Sequence, residues 1–305
     1  MKRYILKRLG QAVITVIGIS IIVFLLTHLS GDPVALMAPQ NATKEDLEQI
    51  RKDRGLDKPI YVQYWRYISG VVRGDFGESL RWNMPAIDMF LARFPNTVKL
   101  ASVAMGFALL VGVPTGILSA VKVEGNFDKF GKIFALLGQA LPGFWVGIML
   151  ILFFSATLKI LPTSGMGGWK HYIMPGFTLG WYTTAALTRL SRSAMLDVMD
   201  AEYIKMARIK GVSETMIILK HAFKNASAPV ITLSALQFVV LLNGTMIIET
   251  IFTWPGIGRL IVDAIFARDY PVVQMCVLIS SVLFVFTNLL VDILYAYIDP
   301  RIRYQ

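Results

Sequence analysis

The stretch MKRYILKRLGQAVITVIGISIIVFLLTHL (residues 1–29) decides the class of fold. Basic residues Lys2, Arg3, Lys7 and Arg8 lead into a run, Gly10 to Leu29, that contains no Asp, Glu, Lys or Arg. At about 1.5 Å per helical residue, such a run covers roughly the 30 Å of a bilayer's hydrocarbon core. A basic start before an apolar run also marks cleaved signal peptides. Here the run is longer than their usual apolar region and no A-x-A-like site follows it, so it reads as a retained first span.

The same pattern recurs along the chain. Apolar runs at about Leu100 to Val121, Ile133 to Leu158, Tyr172 to Thr188, Ala228 to Ile248 and Val272 to Val291 each have the length of a membrane span. The sequence thus predicts an all-α integral membrane protein with six transmembrane helices. Composition agrees: 55% of the 305 residues are hydrophobic and 16% are charged, against about 25% charged in soluble domains. The expected organisation is a first segment and span over 1–29, a loop or cap region over 30–99, and a five-helix core over 100–305.

The net charge of +10 would suit nucleic-acid binding if it formed a patch. Instead it flanks the apolar runs. The N-terminus, the 122–132 and 189–227 loops and the C-terminal tail hold sixteen Lys/Arg, whereas the 159–171 and 249–271 loops hold four. The positive-inside rule then places both termini in the cytoplasm. The 30–99 segment faces outward, with ten basic and nine acidic residues. Within it Thr43 and Asp46 can start a short helix, and YVQYWRYISGVV (61–72) suits a membrane interface.

The 200–225 segment is too polar to span. Asp200 is expected to cap a helix that ends at Lys210 and Gly211, and Ser213 to cap a second short helix. Tyr203, Ile204 and Ala207 form one apolar face, and Met216, Ile217 and Leu219 another; a partner's groove could accept such an element. The sequence contains no G-x-x-x-x-G-K-[ST] phosphate loop, so any ATP hydrolysis belongs to another polypeptide. The one cysteine, Cys276, reads as a packing residue within the last span.

Nine strings occur in order around these spans: SGDP (30–33), GLDKPIYVQYW (55–65), GDFGES (74–79), RFPNT (93–97), LPTSG (161–165), EYIKMARIKG (202–211), KHAFKNA (220–226), ETIFTWPGIG (249–258) and ARDYP (267–271). With them the chain resembles a permease subunit of bacterial ATP-binding-cassette importers, the first permease of the dipeptide, oligopeptide, glutathione and nickel group. The resemblance implies a type I importer permease fold like that of methionine permeases. It implies four kinds of partner: a second related permease, two cytoplasmic ATPase subunits holding ATP and magnesium, and an extracytoplasmic substrate-binding protein. No cofactor or metal is expected on this chain.

The resemblance also makes 200–225 the segment that couples to the ATPase, with Glu202, Tyr203, Lys205, Ala207, Arg208 and Gly211 as its contact residues. Against the family signature E-A-A-x3-G-x9-I-x-L-P, Ala207 and Gly211 match. Lys205 and Met206 replace the first two positions, and His221, Phe223 and Lys224 the last three. Asn243, Thr245, Glu249, Pro255, Gly256 and Gly258 are the gate or translocation-path candidates. Glu249, at the end of an apolar run, is expected at the interface, where a structural or gating contact outweighs proton coupling. The leading expectation is import of dipeptides or short oligopeptides; the alternatives are glutathione, a nickel chelate, or a proton-coupled carrier.

Overall fold

The computed structural model describes residues 2–29, 43–53 and 55–298, and the SGDP string lies outside them. The described residues form twelve helices and no strand: α1 Lys2–Leu29, α2 Lys44–Asp53, α3 Ile60–Val72, α4 Ala86–Val121, α5 Asn126–Ala140, α6 Gly143–Thr157, α7 Lys170–Met199, α8 Glu202–Ile209, α9 Glu214–Asn243, α10 Met246–Ile251, α11 Ile257–Phe266 and α12 Tyr270–Ile298. The chain divides into two compact units, one of residues 1–95 and 256–290 and the other of 96–255 and 291–305.

In the first unit α1 meets α3 through one face only. Ser20, Val23 and Phe24 are buried. The Ser20 and Tyr64 hydroxyls are 2.8 Å apart, and Phe24 stacks on Tyr67. Ile14, Ile17, Ile22 and Leu26 are exposed, as expected of a helix solvated by lipid. α2 begins at Lys44, directly after Thr43, as the sequence predicts. On α3, Tyr61 and Trp65 lie one helical turn apart and both are 72% exposed, which fits a place at a membrane interface.

The second unit is built around α7, which packs against α4, α5, α6, α9 and α10. Close approach explains the small residues along it. A Cβ on Gly112 would lie 2.7 Å from the Thr184 carbonyl oxygen, and one on Gly180 2.6 Å from that of Ala104, so both contacts require glycine. Thr178, Thr184 and Thr188 are buried, and each donates its hydroxyl to a carbonyl one turn back. That satisfies the group without an external partner.

Four described helices, α1, α4, α9 and α12, are long and apolar enough to cross a membrane; counting the bent α5–α6 pair as one span gives five. The sequence reading of six differs at two places. The run from Ile133 to Leu158 is not one tilted helix. It bends by 106° where Leu141 and Pro142 adopt extended backbone, because a proline disfavours helix in the residue before it and cannot donate to the preceding turn. The run from Tyr172 to Thr188 lies within the 30-residue α7, whose threonines and glycines lower its hydropathy because it faces other helices.

Two further boundaries move. α4 starts at Ala86, before the expected Leu100, and opens into a wider π turn over Ala108–Gly112. Pro114, just beyond, has no N–H for the Leu110 carbonyl, and the wider turn adjusts the helix there. The fifth run ends as a helix at Asn243, and α10 follows as a separate element.

Candidate functional site

Two turns carry the residues singled out from the sequence. The first follows α8. Ala201 is extended before this helix, and Asp200 instead ends α7 with helical backbone, so it does not cap α8. At the other end Gly211 has φ +75°. Its N–H bonds the Arg208 carbonyl at 3.0 Å and the Val212 N–H bonds the Ala207 carbonyl at 3.2 Å. This is a Schellman turn with glycine at its left-handed position, as the sequence predicts. A Cβ at Gly211 would touch nothing within 4 Å.

α9 then begins at Glu214. It is not the second short helix expected there: it widens into a π turn over Ile217–Ala222 and continues to Asn243. No breaker stands between Lys220 and the apolar run, so the polar start and the span form one helix. The two expected apolar faces are each divided. Ile204 and Ile217 are fully buried with Ala194, Met195, Ala222 and Ala226, and Ala207 packs against them. Tyr203, Met206, Ile209, Met216 and Leu219 remain exposed, Ile209 to 79%. Arg208 bonds Glu214 across the turn at 2.8 Å, and Lys205 bonds Glu202 at 2.8 Å. The Tyr203 hydroxyl accepts from Asn225 Nδ2 at 2.7 Å. The six coupling candidates therefore share one small element: an apolar outer surface rimmed by ion pairs and closed by Gly211.

The second turn follows α10. Here Thr253 takes the left-handed position, with φ +52°. Its N–H bonds the Thr250 carbonyl at 3.2 Å, and the Trp254 N–H bonds the Glu249 carbonyl at 2.7 Å. The Glu249 side chain is fully buried. Its Oε1 accepts from the Thr97 hydroxyl at 2.7 Å. Asn96 grips the same turn twice: its Nδ2 donates to the Pro255 carbonyl and its carbonyl accepts from Trp254 Nε1, both at 3.0 Å. The Gly165 N–H donates to the Phe252 carbonyl at 2.8 Å. RFPNT, LPTSG and ETIFTWPGIG, read from the sequence as separate strings, meet at one place.

Of the remaining path candidates, Thr245 is buried. Asn243 is exposed and its amide donates to the Val239 carbonyl of its own helix at 2.9 Å. Gly256 and Gly258 belong to the other unit, buried at the start of α11.

Sequence reasoning missed two buried carboxylates. Asp128 on α5 has no exposed surface and is held by Arg192 of α7 at 2.6 and 3.0 Å, by Lys132 and by the Glu124 N–H. In the other unit the Asp269 carboxylate accepts from the Ser79 hydroxyl and the N–H groups of Leu80 and Arg81, which brings GDFGES and ARDYP together. Charge near a span end reads in sequence as a solvated flank, and nothing local reveals a partner so far along the chain. Also in that unit, burial, with the neighbouring Tyr64, pushes the Tyr67 phenol up to about 12.

A cavity of about 460 Å³ opens at the break between α5 and α6, bounded also by α7 and by Gly244 and Ile247. A smaller one of about 170 Å³ adjoins it through Gln139 and is lined by Lys132, Arg189 and Arg192. Among the described residues no group of three or more His, Cys, Asp or Glu side chains could hold a metal ion.

The family model described as binding-protein-dependent transport system inner membrane component matches residues 112–304. A companion model for the N-terminal part of such membrane components matches residues 1–101. The glutathione transport system permease protein GsiC of Escherichia coli K12 is 43% identical over 306 residues, covering 100% of both chains. The protein of the same name from Salmonella paratyphi A is equally similar. Among solved structures, a chain of the inward-facing MetNI methionine ABC transporter aligns with a TM-score of 0.57 at 15% identity, covering 70% of this chain and 97% of its own. A chain of an amino acid ABC transporter solved with histidines gives 0.56 at 14%, covering 69% and 94%. At these identities the structural likeness concerns the fold alone.

Proposed function

This chain belongs to the binding-protein-dependent transport system inner membrane component family, and we propose that it serves there as one permease subunit of an ATP-driven importer of glutathione and peptides of similar size. It is a membrane-embedded transport component and not a catalytic enzyme. The observation that carries the cargo is the 43% identity, covering 100% of both chains, to glutathione permeases. That likeness moves the reading from dipeptides to the alternative the sequence already held. Glutathione is itself a short peptide with two carboxylates, so the change is one of cargo within the same transport chemistry.

In this reading α1, α4, the bent α5–α6 pair, α7, α9 and α12 make six spans with both termini in the cytoplasm. A second permease completes the pore, and a substrate-binding protein delivers cargo from outside. Two ATPase subunits, holding ATP and magnesium, bind below the pore, and one of them docks on α8 and the first turns of α9. Tyr203, Met206 and Ile209 supply apolar contact there, Glu202, Lys205 and Arg208 form the polar rim, and Ala207 and Gly211 set the shape of the turn. What supports this docking is an exposed apolar surface on an element whose other face is locked into the core. Closure of the ATPases would move α8 and, through continuous α9, the elements beyond it. Asn243, Thr245, Glu249, Pro255, Gly256 and Gly258 then border or shape the path and do no chemistry. ATP shifts the conformational population by binding one state more tightly.

The test is ATP-dependent uptake by the co-purified complex in proteoliposomes, comparing glutathione, a dipeptide, a longer peptide and a nickel chelate with their binding proteins. Glutathione uptake that stops without ATP is the expected result. ATP-driven uptake of a dipeptide alone would overturn the cargo, and uptake driven by a proton gradient alone would overturn the mechanism.

A further inference from the structure

Where α5 and α7 lie side by side, the first charges beyond their apolar runs come together. On α5, Lys132 directly precedes the run that opens at Ile133, and on α7, Arg189 directly follows the run that closes at Thr188. Both line the cavity of about 170 Å³ between the two helices, with Leu136 and Arg192. In a spanning helix, the edge of the apolar run is the level of the lipid headgroups.

The three cations are not equally balanced. Asp128 binds Lys132 at 2.9 Å and Arg192 at 2.6 Å, so one carboxylate answers two positive charges. Arg189 is exposed, and its partner is neutral: Nη1 donates to Gln139 Oε1 at 2.9 Å. Among the described residues no carboxylate pairs with it. The amide holds one arm of the guanidinium and leaves the other N–H groups, a planar fork that suits a phosphate. Lys132, whose side chain is half exposed, keeps donors beyond the one given to Asp128.

An apolar stripe runs beside this basic wall. Phe130, Ile133 and Leu137 follow one another on α5 at helical spacing and are exposed. Leu136 joins the two features, since it lines the cavity and is 68% exposed. A small polar solute would match only the basic wall. An anionic phospholipid matches both, with its phosphate against Arg189 and Lys132 and an acyl chain along Ile133, Leu136 and Leu137. Basic pockets between spanning helices bind anionic headgroups by this chemistry.

We propose that the groove between α5 and α7 is a binding site for an anionic phospholipid, held through its phosphate by Arg189 and Lys132. The proposal rests on the reading of α5 and α7 as parts of membrane spans and is independent of the cargo.

The experiment places the complete complex in nanodiscs that contain phosphatidylglycerol or phosphatidylcholine with a photoreactive acyl chain, and maps the labelled peptides by mass spectrometry. The readout is the ratio of labelling by the two lipids over residues 130–137. A ratio of about five to ten is expected in the wild type, since each cation at headgroup level favours an anionic lipid about fivefold. Arg189→Gln and Lys132→Gln should each lower it about three- to fivefold, and Arg189→Lys should keep most of it. A wild-type ratio near one would overturn the site, as would a ratio unchanged in both glutamine variants. Absence of labelling by either lipid would also overturn it and would mean that protein covers the stripe. Loss of phosphatidylglycerol labelling on addition of glutathione or inorganic phosphate would assign the basic wall to a soluble anion instead, and the lipid site would fall. Uptake plays no part in this readout, so a failed cargo assignment leaves the lipid site standing.

Discussion

The turns after α8 and α10 have the same backbone and opposite surroundings. Both are Schellman turns, each with its pair of closing N–H to carbonyl bonds. One has Gly211 at the left-handed position, exposed and free of neighbours. The other has Thr253, a β-branched residue for which that conformation is a genuine outlier, next to the fully buried Phe252 and Trp254. The exposed turn must carry its geometry in its own sequence, since nothing outside it would hold a strained residue. The buried turn is held by Asn96, Gly165 and the packing of Trp254, so its sequence is free of that requirement. An exposed element, proposed above to dock an ATPase, and a buried internal brace are thus made from one motif.

Four substitutions would break or sharpen this contrast. The largest effect is expected for Trp254→Ala, which empties the centre of the buried turn. It should cost about 3–5 kcal/mol, read as a lower thermal midpoint of the purified complex. A midpoint equal to wild type would mean that packing does not hold the turn. Next, Asn96→Ala leaves the Pro255 carbonyl without its side-chain donor while the Trp254 indole keeps the main-chain carbonyl of residue 96, and it should cost about 1–3 kcal/mol by the same measurement.

Gly211→Val forces a β-branched residue into the left-handed region in open space, with a local cost of about 1–2 kcal/mol. Its signature is selective: ATPase affinity for the permease pair should drop about five- to tenfold, while binding-protein affinity stays constant. Titrating the two partners separately distinguishes this from general damage, which would weaken both. The smallest effect is expected for Thr253→Gly. Relief of backbone strain and the greater freedom of glycine in the unfolded chain oppose each other, so the thermal midpoint should correspond to a change under about 1 kcal/mol. A large destabilisation would show that the Thr253 side chain, and not the contacts around it, fixes the turn.

The sequence was legible where a property is local. Long apolar runs at 10–29, near 100–121 and at 272–291 lie within α1, α4 and α12, because hydropathy averaged over one span already reports its solvent. Gly211 was legible because left-handed backbone in an exposed turn leaves glycine as the ready solution. The helix through Tyr172 to Thr188 was harder: its partners are other helices, so its small and polar residues dilute the apolar signal that marks a lipid-facing span. The second short helix expected after Ser213 was an error of continuity, since a cap and two lysines mark a polar stretch but do not end a helix.

The sequence alone determined that this is a helical membrane protein without a phosphate loop, and it located the element with Gly211 at its end. Only the tertiary structure decided that Glu249 and Asp128 are buried and that RFPNT and LPTSG meet the turn after α10. Each of these depends on partners or neighbours tens to more than a hundred residues away. Hydrophobic periodicity and capping patterns extend over only a few turns, whereas a buried charge is defined by whatever distant group folds against it.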